Sequence, residues 1–180
     1  MGMKVLYIDR KVKSMENIVL VGMPGAGKST VGVILAKVLG MNFIDSDLLI
    51  QDQEGSLLKD IIKKQGLQGY IKIENQVNRD ISVENTVIAT GGSVVYCPEA
   101  MEHFRETSKV VYIKLSFNTI NKRVGNIKQR GVVLRDGQTL YDLYKERTPL
   151  YEKYAHIIVD AEGLGIEDLM ERICMEVRDR

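Results

Sequence analysis

The chain has 180 residues, of which 44% are hydrophobic and 27% charged, enough for one soluble globular domain with a substantial core. Its 25 basic and 24 acidic side chains leave a formal net charge of +1, which excludes a basic coat for nucleic acid and requires any anion site to be local. No apolar stretch is long enough to span a bilayer, and two distant cysteines, Cys97 and Cys174, make no metal-type pair and point to a reduced, cytoplasmic compartment.

Residues 1–16 stand outside the pattern that follows. They contain no apolar core of the length a signal peptide needs. Either Met15 is the natural start and the earlier residues are a leader or alternative start, or "KVLYID" is an extra edge strand; both readings stay open. Residues 17–180 read as a single domain. Five short apolar runs predict strands: "NIVLVG" (17–22), "MNFID" (41–45), "TVIAT" (86–90), "KVVYIKL" (109–115) and "HIIVD" (156–160). Helical patterns lie between them at 28–39, 56–65, 68–83, 98–107, 117–127, 139–155 and 165–178, with Pro98 placed for a first helical turn. Strands alternating with helices predict a three-layer α/β domain, a parallel sheet with helices on both faces.

After the first strand comes "GMPGAGKST" (22–30), which fits G-x-x-x-x-G-K-[ST] and opens a helix. Backbone N–H groups can wrap a phosphate chain only if the loop turns tightly without Cβ atoms in the way, which Gly22, Gly25 and Gly27 allow. Gly25, Ala26, Gly27, Lys28, Ser29 and Thr30 are therefore the candidate nucleotide-binding residues. The helix N-terminus faces the phosphates, Lys28 supplies a cation and Ser29 a hydroxyl for Mg²⁺.

Other segments say which P-loop chemistry this is. The Asn-Lys at 121–122 lacks the aspartate of N-K-x-D, and neither "VVYIKL" nor "TVIAT" ends in Asp-Glu, so a guanine-specific switch and a motor ATPase are both disfavoured. "FIDSD" places Asp45 and Asp47 at a strand end, where one can organise metal-bound water and the other accept a hydroxyl proton; a helix cap at Asp47 is the plainer alternative. Gly91 and Gly92 in "ATGGSV" permit close backbone approach at the carboxyl edge of the sheet, or simply a tight turn. Residues 121–135 carry five basic side chains and no acid, interrupted by Gly125 and Gly131, as suits a lid over a polyphosphate or a solvated loop. In "LYKERTPLYEKYA", Arg147 sits on a helix beside Pro149, and the tyrosines at 141, 144, 151 and 154 fall at packing intervals. The eight methionines read as core filler, and His103 and His156 receive no role.

Taken together, "GMPGAGKST", "FIDSD", "TGGS", "RVGNIKQR" and "RTPLYEKYA", in that order from Ile18 to the C-terminus, resemble the shikimate kinases, small P-loop kinases of the nucleoside-monophosphate-kinase-like group. The resemblance implies a five-stranded parallel sheet in the order 2-3-1-4-5, a mobile lid at about 124–137 and acceptor-binding helices at about 47–83. It implies ATP and Mg²⁺, a small hydroxylated substrate, and a monomeric enzyme with no nucleic-acid or membrane partner. Catalytic roles go to Lys28, Asp47 and Arg130, and metal roles to Ser29 and Asp45. Arg123 packs on adenine, while Asp47, Gly91, Gly92, Ser93, Arg130 and Arg147 bind the acceptor, Arg147 through its carboxylate.

The departures from the family pattern lie on the acceptor side. "GE-x-x-FR-x-x-E" reads "GLQGYIKIE" here, so an acceptor arginine falls at Ile71, an aromatic at Tyr70, and Glu74 keeps its place without that partner. A pocket phenylalanine falls at Ile62, the third glycine at Ser93, and Arg-Pro-Leu becomes Arg130-Gly131-Val132. Isoleucine cannot mimic a bidentate guanidinium, and Lys72 points about 100° away on a helix. The expected activity is γ-phosphoryl transfer from ATP to shikimate, giving shikimate 3-phosphate. A different hydroxy acid or polyol acceptor, and a non-catalytic nucleotide-binding protein, are the alternatives.

Overall fold

The computed structural model describes residues 16–125, 132, 134, 135 and 137–178. Residues 1–15 and most of the expected lid, Arg130 included, lie outside the described residues. Five parallel strands, β1 (Asn17–Val21), β2 (Asn42–Asp45), β3 (Thr86–Ala89), β4 (Ser108–Lys114) and β5 (Ile157–Asp160), form one sheet in the order β2-β3-β1-β4-β5. Each begins and ends within about a residue of its expected place.

Burial follows position in the sheet. The strands β1 and β3 are buried at every residue, and apart from their first residues, Asn17 and Thr86, which hydrogen-bond to each other, they are apolar throughout. Edge strand β5 alternates buried and exposed, so Ile158 faces solvent while Ile157 and Val159 face the core. Registry sets Leu20 beside Ala89 and Ala89 beside Asp45, so the carboxyl ends of β1, β3 and β2 lie side by side. The loops leaving those ends carry the glycine-rich segment, residues 90–93 and the "FIDSD" aspartates.

The helices are α1 (Lys28–Leu39), α2 (Ser46–Glu54), α3 (Leu58–Arg79), α4 (Pro98–Thr107), α5 (Phe117–Val124), α6 (Leu140–Tyr154) and α7 (Ile166–Arg178), with a 3-10 turn at Val94–Tyr96. The predicted helices at 56–65 and 68–83 meet as α3, broken at Gly66, whose φ of 69° only glycine adopts without strain. That second helix stops at Arg79, short of 83, and the helix predicted to 127 stops at Val124, where Gly125 takes a φ of 54°. Ile50, Ile61, Tyr70 and Val77 form a separate small apolar cluster between α2 and α3, which fixes the acceptor-side helices to each other. Not every methionine is filler: Met23, Met41 and Met101 are buried, but Met175 is exposed on α7.

Candidate active site

At the end of β1 the loop turns through Gly22, Gly25 and Gly27 into α1. Gly27 caps α1 in the left-handed conformation, with no side-chain cap and no acid in the first turn. The first N–H groups of α1 are therefore unclaimed by any cap and suited to an anion. Lys28 is buried, its Nζ donating to the carbonyls of Gly22 at 2.8 Å and Met23 at 3.1 Å. Burial pulls its pKa down to about 8, against the pull of Asp47. Pro24, Gly25, Lys28, Ser29, Asp47 and Thr90 line a cavity of about 260 Å³ here.

The two aspartates of "FIDSD" divide their work. Asp45 caps α2, its Oδ1 accepting the Asp47 N–H at 3.0 Å, so the capping role falls to Asp45 and not to Asp47. That leaves the Asp47 side chain free to face the cavity. Its Oδ1 is sealed from solvent and has no hydrogen-bond partner among the described residues. Burial, and then the Asp45 charge, push its pKa up to about 6.

Gly91 explains itself by proximity. A Cβ there would lie 2.6 Å from Asp47 Oδ1 and 2.6 Å from Glu74 Oε1, so two carboxyl oxygens close on one backbone position. At Gly92 a Cβ would meet Pro24 Cδ at 2.9 Å and Arg147 Nη1 at 3.1 Å. These two glycines thus bring the P-loop, Asp47 and Arg147 to one point, as the sequence predicts, together with Glu74, to which it assigns no role. Glu74 is 0% exposed, and burial pushes its pKa up to about 7 while the Ser93 hydroxyl pulls the other way. Ser93 is buried and turned to Glu74 and Tyr70. The signal for Glu74 is present in the sequence: it stands four residues after Tyr70 and three before Val77, on the buried face of α3.

Arg147 is 1% exposed on α6, which runs unbroken through Pro149. Its guanidinium lies 5.1 Å over the Tyr96 ring, and Nε donates to Tyr96 Oη at 3.4 Å. Burial acts to lower its pKa, but Tyr151, Tyr96 and Glu74 more than offset this and keep it charged. No ion pair forms to it among the described residues. It borders a cavity of about 190 Å³, with Ile71 and Leu143 opposite polar groups of Tyr96 and Gln138. Tyr151, read as packing, does pack on Tyr112, and its hydroxyl also donates to the Gly92 carbonyl at 2.5 Å. Tyr141, by contrast, is half exposed.

Arg123 is not brought to the Lys28 cavity. It lines a third cavity of about 230 Å³ with Ala26, Thr30, Ala161, Leu164 and Ile166, a flat, mostly apolar slot beside the P-loop. No group of three His, Cys, Asp or Glu among the described residues could form a metal cage. Ser29 lines the Lys28 cavity, and Asp45 stands at the edge of it with Oδ1 committed to the Asp47 N–H; both carry oxygen donors, the type Mg²⁺ takes.

A sequence model of the family described as "Shikimate kinase" matches residues 24–178. The chain belongs to the shikimate kinase family. A shikimate kinase from a Sulfurihydrogenibium species is 33% identical over 167 residues, covering 92% of this chain and all of that one. One from Nitrosomonas europaea is 35% identical over 166 residues, 90% of this chain and 78% of the relative. The solved shikimate kinase from Acinetobacter baumannii, in complex with shikimate, superposes with a TM-score of 0.85 at 33% identity, over 92% of this chain and 94% of that one. The five-stranded sheet of this chain is thus that of the P-loop kinase fold. Membership makes this chain a kinase with a hydroxyl acceptor and implies ATP as its donor. Shikimate kinase membership sets the Ile71 departure in context: its side chain forms part of the apolar wall facing Arg147. Lys72 is exposed and turned away, as helical geometry requires.

Proposed function

We propose that this chain transfers the γ-phosphoryl group of ATP to a hydroxyl of shikimate, giving shikimate 3-phosphate, as a monomer in the cytoplasm. The observation that carries the reading is the orphaned, buried Oδ1 of Asp47 in the same cavity as Lys28 and the α1 N-terminus. A buried acceptor without a donor is costly, and a substrate hydroxyl satisfies it.

In this reading the α1 N–H groups hold the phosphates, and Lys28 turns from the Gly22 and Met23 carbonyls to the transferring oxygens. Asp47 Oδ1 accepts the acceptor's hydroxyl proton as the oxygen attacks in line. Gly91 and Gly92 let the acceptor approach the backbone, Arg147 takes its carboxylate, and Arg123 stacks on the adenine. Arg130, from the basic segment, adds charge at the phosphates. Ser29 and Asp45 would hold Mg²⁺, which would supply neutralisation of the phosphate charge.

An ADP-release assay on shikimate and a panel of hydroxy acids and polyols tests this. Turnover with shikimate in the parent, lost in Asp47→Asn while ATP binding persists, is the expected result. Turnover only with another compound moves the acceptor assignment, and silence on all of them removes the catalytic reading.

A further inference from the structure

We propose that Arg135 is a second guanidinium of the acceptor pocket and holds the acceptor carboxylate together with Arg147. The proposal rests on the acceptor reading above and names a residue that reading does not use.

The cavity beside Arg147 is lined by unlike groups: Leu67, Ile71 and Leu143 are apolar, while Gln68, Tyr96, Arg135, Gln138 and Arg147 present polar atoms. Such a cavity fits a small carbocycle with its charge at one side. The α3 wall supplies no cation. Arg147 is one anchor: a fully buried guanidinium with five donors, which bonds the hydroxyl of Tyr96 at a long 3.4 Å and also that of Tyr151, with no ion pair to it among the described residues.

Arg135 is held at the rim of this cavity by a defined network. Its Nη2 donates to Glu146 Oε1 at 3.0 Å, and its backbone N–H donates to Gln138 Oε1 at 3.1 Å. Gln138 Nε2 in turn donates to Glu146 Oε2 at 2.9 Å. Glu146 precedes Arg147 on α6, so the same turn of helix presents Arg147 and tethers Arg135. The Arg135 side chain is 58% exposed, and a pair this exposed is loosely held, so the guanidinium can take a ligand carboxylate without unfolding anything. Glu146 takes one Nη2 donor of Arg135, and no other side-chain donor of it is paired among the described residues, so a monocarboxylate bound between two guanidiniums is the ligand chemistry selected.

Steady-state kinetics on the full chain with saturating ATP test this in Arg135→Gln and Arg135→Lys. Arg135→Gln should raise the KM for shikimate about tenfold, the loss of one charge-assisted contact, with kcat and the KM for ATP unchanged. Arg135→Lys should recover part of that loss. Shikimate methyl ester, which lacks the charge, should bind parent and Arg135→Gln equally well. An unchanged KM for shikimate in Arg135→Gln, or an equal rise for acid and ester, overturns the assignment. Failure of the parent itself to turn over shikimate is a different result: it removes the proposed function, and this proposal with it, before any variant is compared.

Discussion

Gly91→Ala is the sharpest test of the site, because it perturbs geometry without altering any charge. The added methyl carbon would lie 2.6 Å from both Asp47 Oδ1 and Glu74 Oε1, inside the 3.0 Å limit that real Cβ atoms respect. Relief requires each oxygen to retreat by about 0.4–0.8 Å. Glu74 is 0% exposed and packs its other oxygen against Cys97 Sγ at 3.9 Å, so it has little room. Asp47 is the group that moves, pivoting on a backbone N–H already bound to Asp45. Overpacking of this kind costs about 1–3 kcal/mol. For a chain of 180 residues, at about 2–4 °C per kcal/mol, that lowers Tm by about 2–12 °C.

The effect on rate is larger than the effect on stability. A displacement approaching 1 Å of a group that must meet a reacting proton costs on the order of 100-fold. The atoms nearest the new methyl belong to Asp47 and Glu74, none of them to the P-loop, so the KM for ATP should be unchanged. Steady-state kinetics in both substrates, with a thermal melt of the same preparation, give all three quantities. Parent-like kcat in a folded Gly91→Ala variant would refute the placement of Asp47 at the reacting centre.

Two further expectations concern protons. Asp47 near 6 and Lys28 near 8 predict a bell-shaped kcat/KM for the acceptor, with the plateau between them; at pH 5 about a tenth of Asp47 is ionised, so activity there should be about a tenth of its maximum, and a flat profile from pH 5 to 8 would contradict the assignment. Glu74 predicts a stability effect: its folded pKa of about 7 stands above the usual 4.5, so the folded state binds the extra proton, stability is full below pH 4.5 and falls as pH rises to 7. That rise is equivalent to about 3 kcal/mol, so chemical denaturation at pH 8 should find Glu74→Gln more stable than the parent by up to that amount, with the difference gone at pH 4; equal stability at both pH values would count against a buried, strained carboxyl.

What the sequence makes legible is whatever short-range spacing dictates. The run from Gly22 to Ser29 specifies a phosphate cradle because glycines, lysine and hydroxyl must fall at fixed offsets from a strand end, and they do. The strands are legible because buried parallel strands are apolar on both faces. The division of labour between Asp45 and Asp47 is harder. Two carboxylates at i and i+2 suit a cap equally well, and a two-residue difference in where α2 begins decides which is used. Glu74 is harder still, because its burial depends on α3 approaching residues 91–93, a contact between segments about 20 residues apart. The Arg135 tether depends likewise on Gln138 and Glu146 meeting across the start of α6.

Four ionisable side chains, Lys28, Arg147, Asp47 and Glu74, are packed into this one region, and burial works against the charge on every one of them. At Lys28 and Asp47 the opposite neighbours only partly compensate: Lys28 falls to about 8 although Asp47, Asp45 and Glu74 all favour its proton, and Asp47 rises to about 6 although Lys28 opposes it. At pH 7 both are therefore in their working forms, cation and carboxylate, by a margin of about one pH unit each. An incoming nucleotide is anionic and lines the same cavity. Its field raises the proton affinity of both groups, which makes Lys28 a firmer cation but moves Asp47 toward its protonated form, so the nucleotide's negative charge must be neutralised for Asp47 to stay a carboxylate. Lys28, in the same cavity as Asp47 and already opposing the rise of its pKa, is the group of this chain that supplies that neutralisation.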